Sequence, residues 1–562
     1  MDNIRLFLWA GLGVLLWLSF QAWQQDNAPS PVATDLSGQV AMQPVPGSPD
    51  LLTATEGLPS LPEVPSSAAA DGESPLPAVT ASSSQVRATK MIRVRTDVLD
   101  LEINLAGGDL QSATLPVYPV HKDNPDIPVQ LLSPDPAGIF VFGSGLRSVD
   151  GAAEPNHQSL FSADQTEYVL ADGQDQLIVT LNWQGEGGLS AQKIYRFNRG
   201  SYAIGLDQVM NNGGIDPYRA VSYLQIRRQH MPPDRSMFDV DSYSFVGPVV
   251  YDGEKYEKLD ADDLIEEPLD RQITGGWIAS IQHHFLAAAV PSSEAPRRYT
   301  GTFDGNNTLV RLIDTEATTI APGDRIAFES MLFVGPKLQA QLEEVADGLQ
   351  LTVDYGRLTI LAQPLFWLLQ KVFDIIGNWG WTIVIVTFLI KLVFYKLTEK
   401  SGRSMAKMRK IAPRLKQVQE RHKDDREGLS KAMMELYKRE KVNPAAGCWP
   451  MLIQIPFFIA FYWVLLESVE MRQAPFMLWI TDLSTRDPFF ILPLLMGAAM
   501  FFQQKLNPPP PDPMQAKVMQ FLPIMFTAMF AFFPAGLVLY WLTNSVLSMA
   551  QQWRINKVLG AD

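Results

Sequence analysis

The chain has 562 residues, enough for more than one domain, and 47% of them are apolar. A formal net charge of −14 argues against nucleic acid as the main partner, so no direct nucleic-acid specificity is expected. A single cysteine, Cys448, excludes an intramolecular disulfide framework and a cysteine-cluster metal site. Six histidines, two of them adjacent at His283 and His284, show no ligand spacing, so no metal or cofactor is expected.

Ile4 to Phe20 is apolar apart from Arg5. No small-x-small cleavage site follows it, so residues 1–25 read as an uncleaved transmembrane anchor rather than a signal peptide. Residues 26–89 hold ten prolines, no aromatic residue and one basic residue, Arg87. Such a segment cannot bury enough apolar surface to fold, and its prolines keep it extended, as a linker.

Residues 90–350 read as a large β-sandwich. Leu99, Leu101, Ile103 and Leu105 alternate with polar neighbours before Gly107-Gly108 breaks the run, which is strand period followed by a turn. Leu177–Trp183, Lys193–Phe197, Tyr202–Met210 and Trp277–Val290 are further strand candidates, separated by turn clusters such as Asn211-Asn212-Gly213-Gly214. Near residue 337 the period changes, and Lys337–Ala346 reads as a helix. Leu358–Ile376, within segment 351–378, reads as an amphipathic helix lying in a membrane interface. The alternative is a buried helix of the β domain.

The remainder, 379–562, contains five apolar candidate spans: Trp379–Leu397, Trp449–Leu466, Phe489–Gln504, Val518–Phe533 and Gly536–Gln552. With the anchor this makes six. Segment 396–448 carries 15 Lys+Arg against 7 Asp+Glu, a balance of +8, and therefore belongs in the cytoplasm. Counting spans outward places both termini inside and residues 26 to about 378 outside. Within that segment, 398–441 reads as an αα-hairpin. Met405, Met408, Ile411, Leu415 and Val418 form one stripe, and Leu429, Met433, Leu436 and Tyr437 form the other. Its basic outer faces suit either plain solvation or docking of a partner.

Lys391 stands out. It lies within the first of these five spans, and a charge at bilayer depth costs roughly 2.5–3.5 kcal/mol on insertion scales. No acidic residue lies deep in a span to neutralise it. Lys396 is only five positions on, so snorkelling to the cytoplasmic edge competes with a role inside the membrane. Thr387, Gln454, Thr543 and Asn544 are polar residues in the spans that would hydrate such a site. Fourteen of the 21 methionines follow residue 400, which suits either a permissive apolar surface or packing between helices. A polytopic transporter or channel with an intramembrane lysine site is the alternative class, but five core spans show no clear internal repeat.

Several fragments now point one way. They include Met405-Ala-Lys-Met-Arg409, Val442-Asn-Pro-Ala-Ala-Gly-Cys-Trp-Pro450, Glu470-Met-Arg-Gln-Ala-Pro-Phe476, Asp512-Pro-Met-Gln515 and Phe533-Pro-Ala-Gly-Leu-Val-Leu-Tyr540. Thr96-Asp-Val-Leu99, Gly107-Gly-Asp109, Val334-Gly-Pro-Lys-Leu338 and Val353-Asp-Tyr-Gly356 extend the pattern to the β region. Together they resemble the YidC membrane protein insertase family in its six-span Gram-negative form. The resemblance implies an insertase and folding assistant, not an enzyme, with nascent inner-membrane proteins as clients. It works alone or with the Sec translocon, in the lipid bilayer of the inner membrane. The implied fold is a periplasmic β-supersandwich beside a five-helix core around a hydrophilic groove. Lys391 stands where the family carries its groove cation, often arginine, and Lys396 stands where proline is common. Family client contacts on the second and fourth core spans carry over to Trp449, Leu452, Ile455 and Phe458, and to Met525 and Met529. Ribosome contact through the basic hairpin and Arg554–Lys557 is a weaker expectation, because that tail is short. No phosphate-binding loop is present, so the implied scheme needs no ATP.

Overall fold

The computed structural model describes residues 91–231, 244–292, 294–422, 425–440, 442, 449–506 and 513–560. The expected anchor, the linker and Cys448 lie outside the described residues.

Among the described residues, twenty strands between Met91 and Pro336 form three sheets. A nine-stranded sheet is built around Phe285–Pro291, Arg325–Pro336, Ala203–Asn212, Leu189–Asn198 and Gln176–Gln184. A six-stranded sheet is organised on Tyr218–Gln229, which pairs with Asn307–Asp314, Thr318–Ile320 and Phe140–Ser148. A five-stranded sheet contains Asn124–Leu132, Asp109–His121, Asp100–Asn104 and Met91–Arg95. The alternation around residue 100 is borne out: Leu99, Leu101 and Ile103 are fully buried. Trp277–Val290 is two strands, not one. Trp277–Gln282 turns at His283-His284 into Phe285–Pro291. Both are apolar on both faces, with Ile278, Ala279, Leu286 and Ala288 all buried, so periodicity carried no sign of the turn.

The Gly107-Gly108 turn has a packing reason. Both residues have left-handed φ (91° and 67°), and a Cβ on Gly107 would fall 2.4 Å from the His157 carbonyl oxygen. The turn delivers Asp109 into the interior, where it is 3% exposed. Lys193 Nζ donates to Asp109 Oδ1 at 2.7 Å, to Ser144 Oγ at 2.7 Å, and to the Gly107 and Ser144 carbonyls at 2.5 and 3.0 Å. Asp109 belongs to the five-stranded sheet, Lys193 to the nine-stranded sheet, and Ser144 to a strand hydrogen-bonded to the six-stranded sheet. One buried ion pair therefore stands where all three sheets meet.

Ten helices follow in chain order among the described residues. They are α1 (Ala261–Glu266), α2 (Gln339–Val345), α3 (Thr359–Ile376), α4 (Trp379–Val393) and α5 (Tyr395–Arg421), then α6 (Arg426–Arg439), α7 (Trp449–Glu467), α8 (Ile491–Leu506), α9 (Pro513–Phe530) and α10 (Ala535–Leu559). α10 is the central member, packing on α4, α5, α7 and α8. α3 buries Ala362, Leu365, Phe366 and Leu369 against α4 and α7, and exposes Ile360, Trp367 and Ile375. Gly377 ends it in the left-handed region, and the Asn378 side chain accepts from Trp381 N to start α4.

Two sequence expectations change. The span expected over Trp379–Leu397 stops at Val393, and α4 and α5 meet at an angle of 71°. Thr398 Oγ1 lies 3.0 Å from both the Phe394 and Tyr395 carbonyls, a back-bond of the kind that bends helices. The other apolar segments are helical with shifted bounds, and α4 and α8, at 15 and 16 residues, are shorter than the ~20 that cross a bilayer upright. Among the described residues α3 is the helix that alone is long and apolar enough to cross a membrane by length and composition, which does not bear on the expected interfacial placement. The expected hairpin does form. Ile411 and Leu415 of α5 pack on Leu436 and Tyr437 of α6, with Met408, Val418 and Met433 alongside. Met405 and Leu429 stay outside that cluster, while Ala406 instead meets Ile555 of α10.

The β domain joins the helices through a polar junction. His283 Nε2 lies 2.9 Å from the Leu466 carbonyl. Gln339 N donates to Glu470 Oε1 (3.3 Å), Gln339 Nε2 donates to Tyr355 Oη (2.6 Å), and Tyr355 Oη shares a hydrogen bond with Ser468 Oγ (3.1 Å). Burial pushes the Glu470 carboxyl up to about 7, and its Oε2 has no hydrogen-bond partner among the described residues.

Two outcomes follow. Lys193→Met leaves Asp109 buried and unpaired, and should lower the unfolding free energy of the β domain by about 3–5 kcal/mol, read from its urea transition. Asp109→Leu combined with Lys193→Met should recover part of that loss. For Glu470, the raised carboxyl contributes stability that is complete below its unfolded value of ~4.3 and is lost as pH rises through about 7. Glu470→Gln should therefore gain thermal stability over the unsubstituted chain at pH 8 relative to pH 5; a difference independent of pH would contradict this.

Candidate functional site

A cleft opens between α4, α5, α7 and α10. Its walls are Thr387, Ile390 and Lys391 of α4, Phe394, Leu397 and Thr398 at the bend, Gln454 and Phe457 of α7, and Tyr540 and Asn544 of α10. None of these is acidic.

Lys391 is half-buried and turned toward α10, whereas Lys396 is exposed. Its Nζ donates to Ser548 Oγ at 2.6 Å, and that hydroxyl donates to the Asn544 carbonyl at 2.7 Å. The amine is thus drawn into the helix bundle. Thr387, one turn earlier, is buried and gives its own hydroxyl proton to the Ile383 carbonyl (2.6 Å), so it offers the cleft an acceptor. At the mouth, Gln551 Nε2 donates to Thr398 Oγ1 at 2.9 Å.

Four of the five expected groove residues therefore meet: Thr387, Lys391, Gln454 and Asn544. Thr543 does not line the cleft, because it is one residue, or 100° of helix, away from Asn544. Ser548 was missed. Its position four residues after Asn544, on the same helix face, was the available signal.

The expected client-contact residues divide. Ile455, Met525 and Met529 are exposed. Phe458 is not an open wall: its ring packs on Phe530, Tyr540 and Trp541, at 6.0, 6.3 and 4.8 Å, and joins α7 to α9 and α10. The side chains of Trp449 and Leu452 lie outside the described residues. Ile459 extends the exposed face of Ile455, and Val518 and Phe521 continue that of Met525 and Met529 at spacings of three and four.

Residues 91–368 match a family described as the YidC periplasmic domain, and residues 371–561 match one described as the 60Kd inner membrane protein. The chain is 47% identical to the membrane protein insertase YidC of Thioalkalivibrio sulfidiphilus, with 99% of this chain and 98% of that protein aligned. It is 46% identical to the same-named protein of Nitrosococcus oceani, over 99% of each chain. The corresponding protein of Pseudomonas fluorescens is 41% identical, over 100% of this chain and 99% of the other. A solved structure of an active YidC insertase aligns with 83% of this chain and 92% of its own, at 17% identity and a TM-score of 0.38. By sequence along its whole length, this chain belongs to the YidC membrane protein insertase family.

Proposed function

We propose that this protein inserts newly made proteins into the inner membrane and assists their folding, with the Lys391 cleft receiving the polar segment of each client. The observation that carries the reading is the state of Lys391: its amine meets one neutral hydroxyl, in a cleft with no acidic wall. An ammonium has three donors, so this one keeps capacity for an incoming acceptor. A client carboxylate entering the cleft meets that charge at lower dielectric than water, where attraction at 4 Å is worth roughly 4 kcal/mol rather than 1. Asn544, Gln454 and the Thr387 oxygen give it further polar neighbours.

The client's apolar stretch then needs only a surface to follow into lipid. Ile455 and Ile459 on α7, and Val518, Phe521, Met525 and Met529 on α9, supply apolar side chains exposed from the protein. Transfer of an apolar segment into lipid is favourable by itself, so no nucleotide is consumed in this scheme. In this reading an N-terminal anchor and the five apolar helices α4, α7, α8, α9 and α10 make six spans. Both termini and the α5–α6 hairpin lie in the cytoplasm, and α3 rests at the periplasmic interface with Ile360, Trp367 and Ile375 toward lipid. The Sec translocon and, through basic α5 and α6, the ribosome are proposed partners. The transporter or channel reading finds no support in the relatives named above, which are insertases.

Lys391→Glu should reduce insertion of a client with an acidic tail by at least about tenfold, since reversing the charge replaces attraction with repulsion. Lys391→Arg should insert within about twofold of the unsubstituted chain, because the charge is kept while the geometry changes. Equal insertion by Lys391→Leu, in proteoliposomes with a radiolabelled client, would remove the charge from the mechanism. Ser548→Ala should leave insertion nearly intact, because the amine gains rather than loses freedom to meet a client.

A further inference from the structure

Segment 468–487, between α7 and α8, covers the end of the helical core nearest the β domain and completes the starts of three helices. The Phe476 carbonyl accepts from Asn378 Nδ2 (3.0 Å), the residue that caps α4. The Leu483 and Thr485 carbonyls accept from Gly536 N (2.9 Å) and Ala535 N (2.7 Å) at the start of α10. Asp487, 1% exposed, accepts from Leu492 N (2.7 Å), Phe489 N (3.0 Å) and Trp479 Nε1 (3.1 Å) at the start of α8. The Phe476 ring lies against Gly380, where a Cβ would come within 1.9 Å of it. The segment is a plug seated on α4, α8 and α10.

The plug is also where the backbone is strained. Among the described residues, the non-glycine residues with left-handed φ are Gln473 (57°), Leu478 (55°) and Phe490 (57°). Two are in the plug and the third borders it. Such conformations persist only where surrounding contacts hold them.

At Gln473 those contacts come from the β domain. Strands Asp109–His121 and Asn124–Leu132 form a hairpin whose tip reaches the plug. Arg472 Nη2 donates to the Pro119 carbonyl (2.9 Å) and the Val120 carbonyl (3.1 Å), and Gln473 Nε2 donates to the Pro119 carbonyl (3.1 Å). In return Lys122 Nζ donates to the Gln473 carbonyl (3.2 Å) and to the Thr481 carbonyl. The Arg472 guanidinium also lies 5.6 Å over the Phe285 ring, a second grip on the β domain. Strained Gln473 is thus held through both its side chain and its carbonyl.

We propose that the hairpin tip around Pro119–Lys122 is a strut through which the β domain holds segment 472–481 closed over the helical core, with Lys122, Arg472 and Gln473 as the positioning residues. The proposal rests on the insertase reading only in taking that end of the core as the sealed one. The strut acts on sealing, not on the Lys391 cleft, which lies toward the opposite ends of α4 and α10. Once the tip is removed, the plug keeps its seat on the helices but loses the contacts that compensate Gln473, and it opens more often.

The test is amide hydrogen exchange on the full-length protein in lipid nanodiscs. In one variant residues 119–127 are replaced by a two-residue Asn-Gly turn, which keeps the pairing from Leu115 and Val129 inward and removes the tip with Pro119, Val120 and Lys122. Plug amides 474–484 should exchange at least about tenfold faster, while strands Leu189–Asn198 and Ala203–Asn212 keep their protection. Lys122→Ala should show a smaller change in the same amides, and Lys122→Arg should restore protection. Plug exchange within about twofold of the unsubstituted protein would overturn the proposal, and so would an equal rise in the β strands, which marks general loosening. Client insertion measured on the same samples reports on the groove reading alone, so either reading can fail without the other.

Discussion

An amine taken out of water must be given oxygens, and this requirement shapes both halves of the protein. In the β domain it is met in full. Lys193 has four oxygens within 3.0 Å, one of them the Asp109 carboxylate, and each sheet of the domain contributes to that cluster or to a strand paired with it. A pair so placed specifies how the sheets meet, because neither partner can be moved without stranding the other. In the helical core the same requirement is met in part. Lys391 has Ser548 Oγ and, among the lining residues, no carboxylate. The first lysine fixes a structure, and in the proposed function the second keeps donors for a client.

The two halves are connected through identifiable contacts. Asp109 begins the long strand whose far end carries the hairpin tip, and the tip holds the plug through Arg472, Gln473 and Lys122. The plug in turn completes the first turns of α4, α8 and α10. α4 carries Lys391 and α10 carries Ser548. The junction of Gln339, Tyr355, Ser468 and Glu470 makes a second attachment at the end of α7. A large β domain on a membrane core therefore supports the end of the bundle that the cleft does not use.

Legibility from sequence followed the strength of the local signal. The alternation from Leu99 to Leu105 and the two stripes of the α5–α6 hairpin were readable because each buries one face, so period 2 and period 3.6 appear undiluted. The turn at His283-His284 was hidden because both of its strands are buried on both faces. The bend after Val393 was hidden because apolar residues continue past it; a hydroxyl back-bond from Thr398 lies beside it. At the site, Lys391 and its companions Thr387, Gln454 and Asn544 were found from charge and polarity in apolar runs. Ser548 was missed because serine in a helix is unremarkable until its neighbour across the bundle is known. The packing of Phe458 on Phe530, Tyr540 and Trp541 was not legible, because an aromatic in an apolar helix gives no sign of which neighbour it meets. The motifs Val353–Gly356 and Glu470–Phe476 were legible as resemblance only; the structure gives their physical reason, since Tyr355, Glu470, Arg472 and Gln473 all sit where the β domain meets the plug.

The central claim is that a client divides on entry, its polar tail meeting the Lys391 cleft and its apolar segment meeting the exposed faces of α7 and α9. Site-specific photocrosslinking of a ribosome-bound, stalled client tests it most directly, with the reactive group placed in turn at Gln454 and at Met525. The account predicts adducts from Gln454 to the client's acidic tail and from Met525 to its apolar segment. Adducts from both positions to the apolar segment alone, with none to the tail, would contradict it.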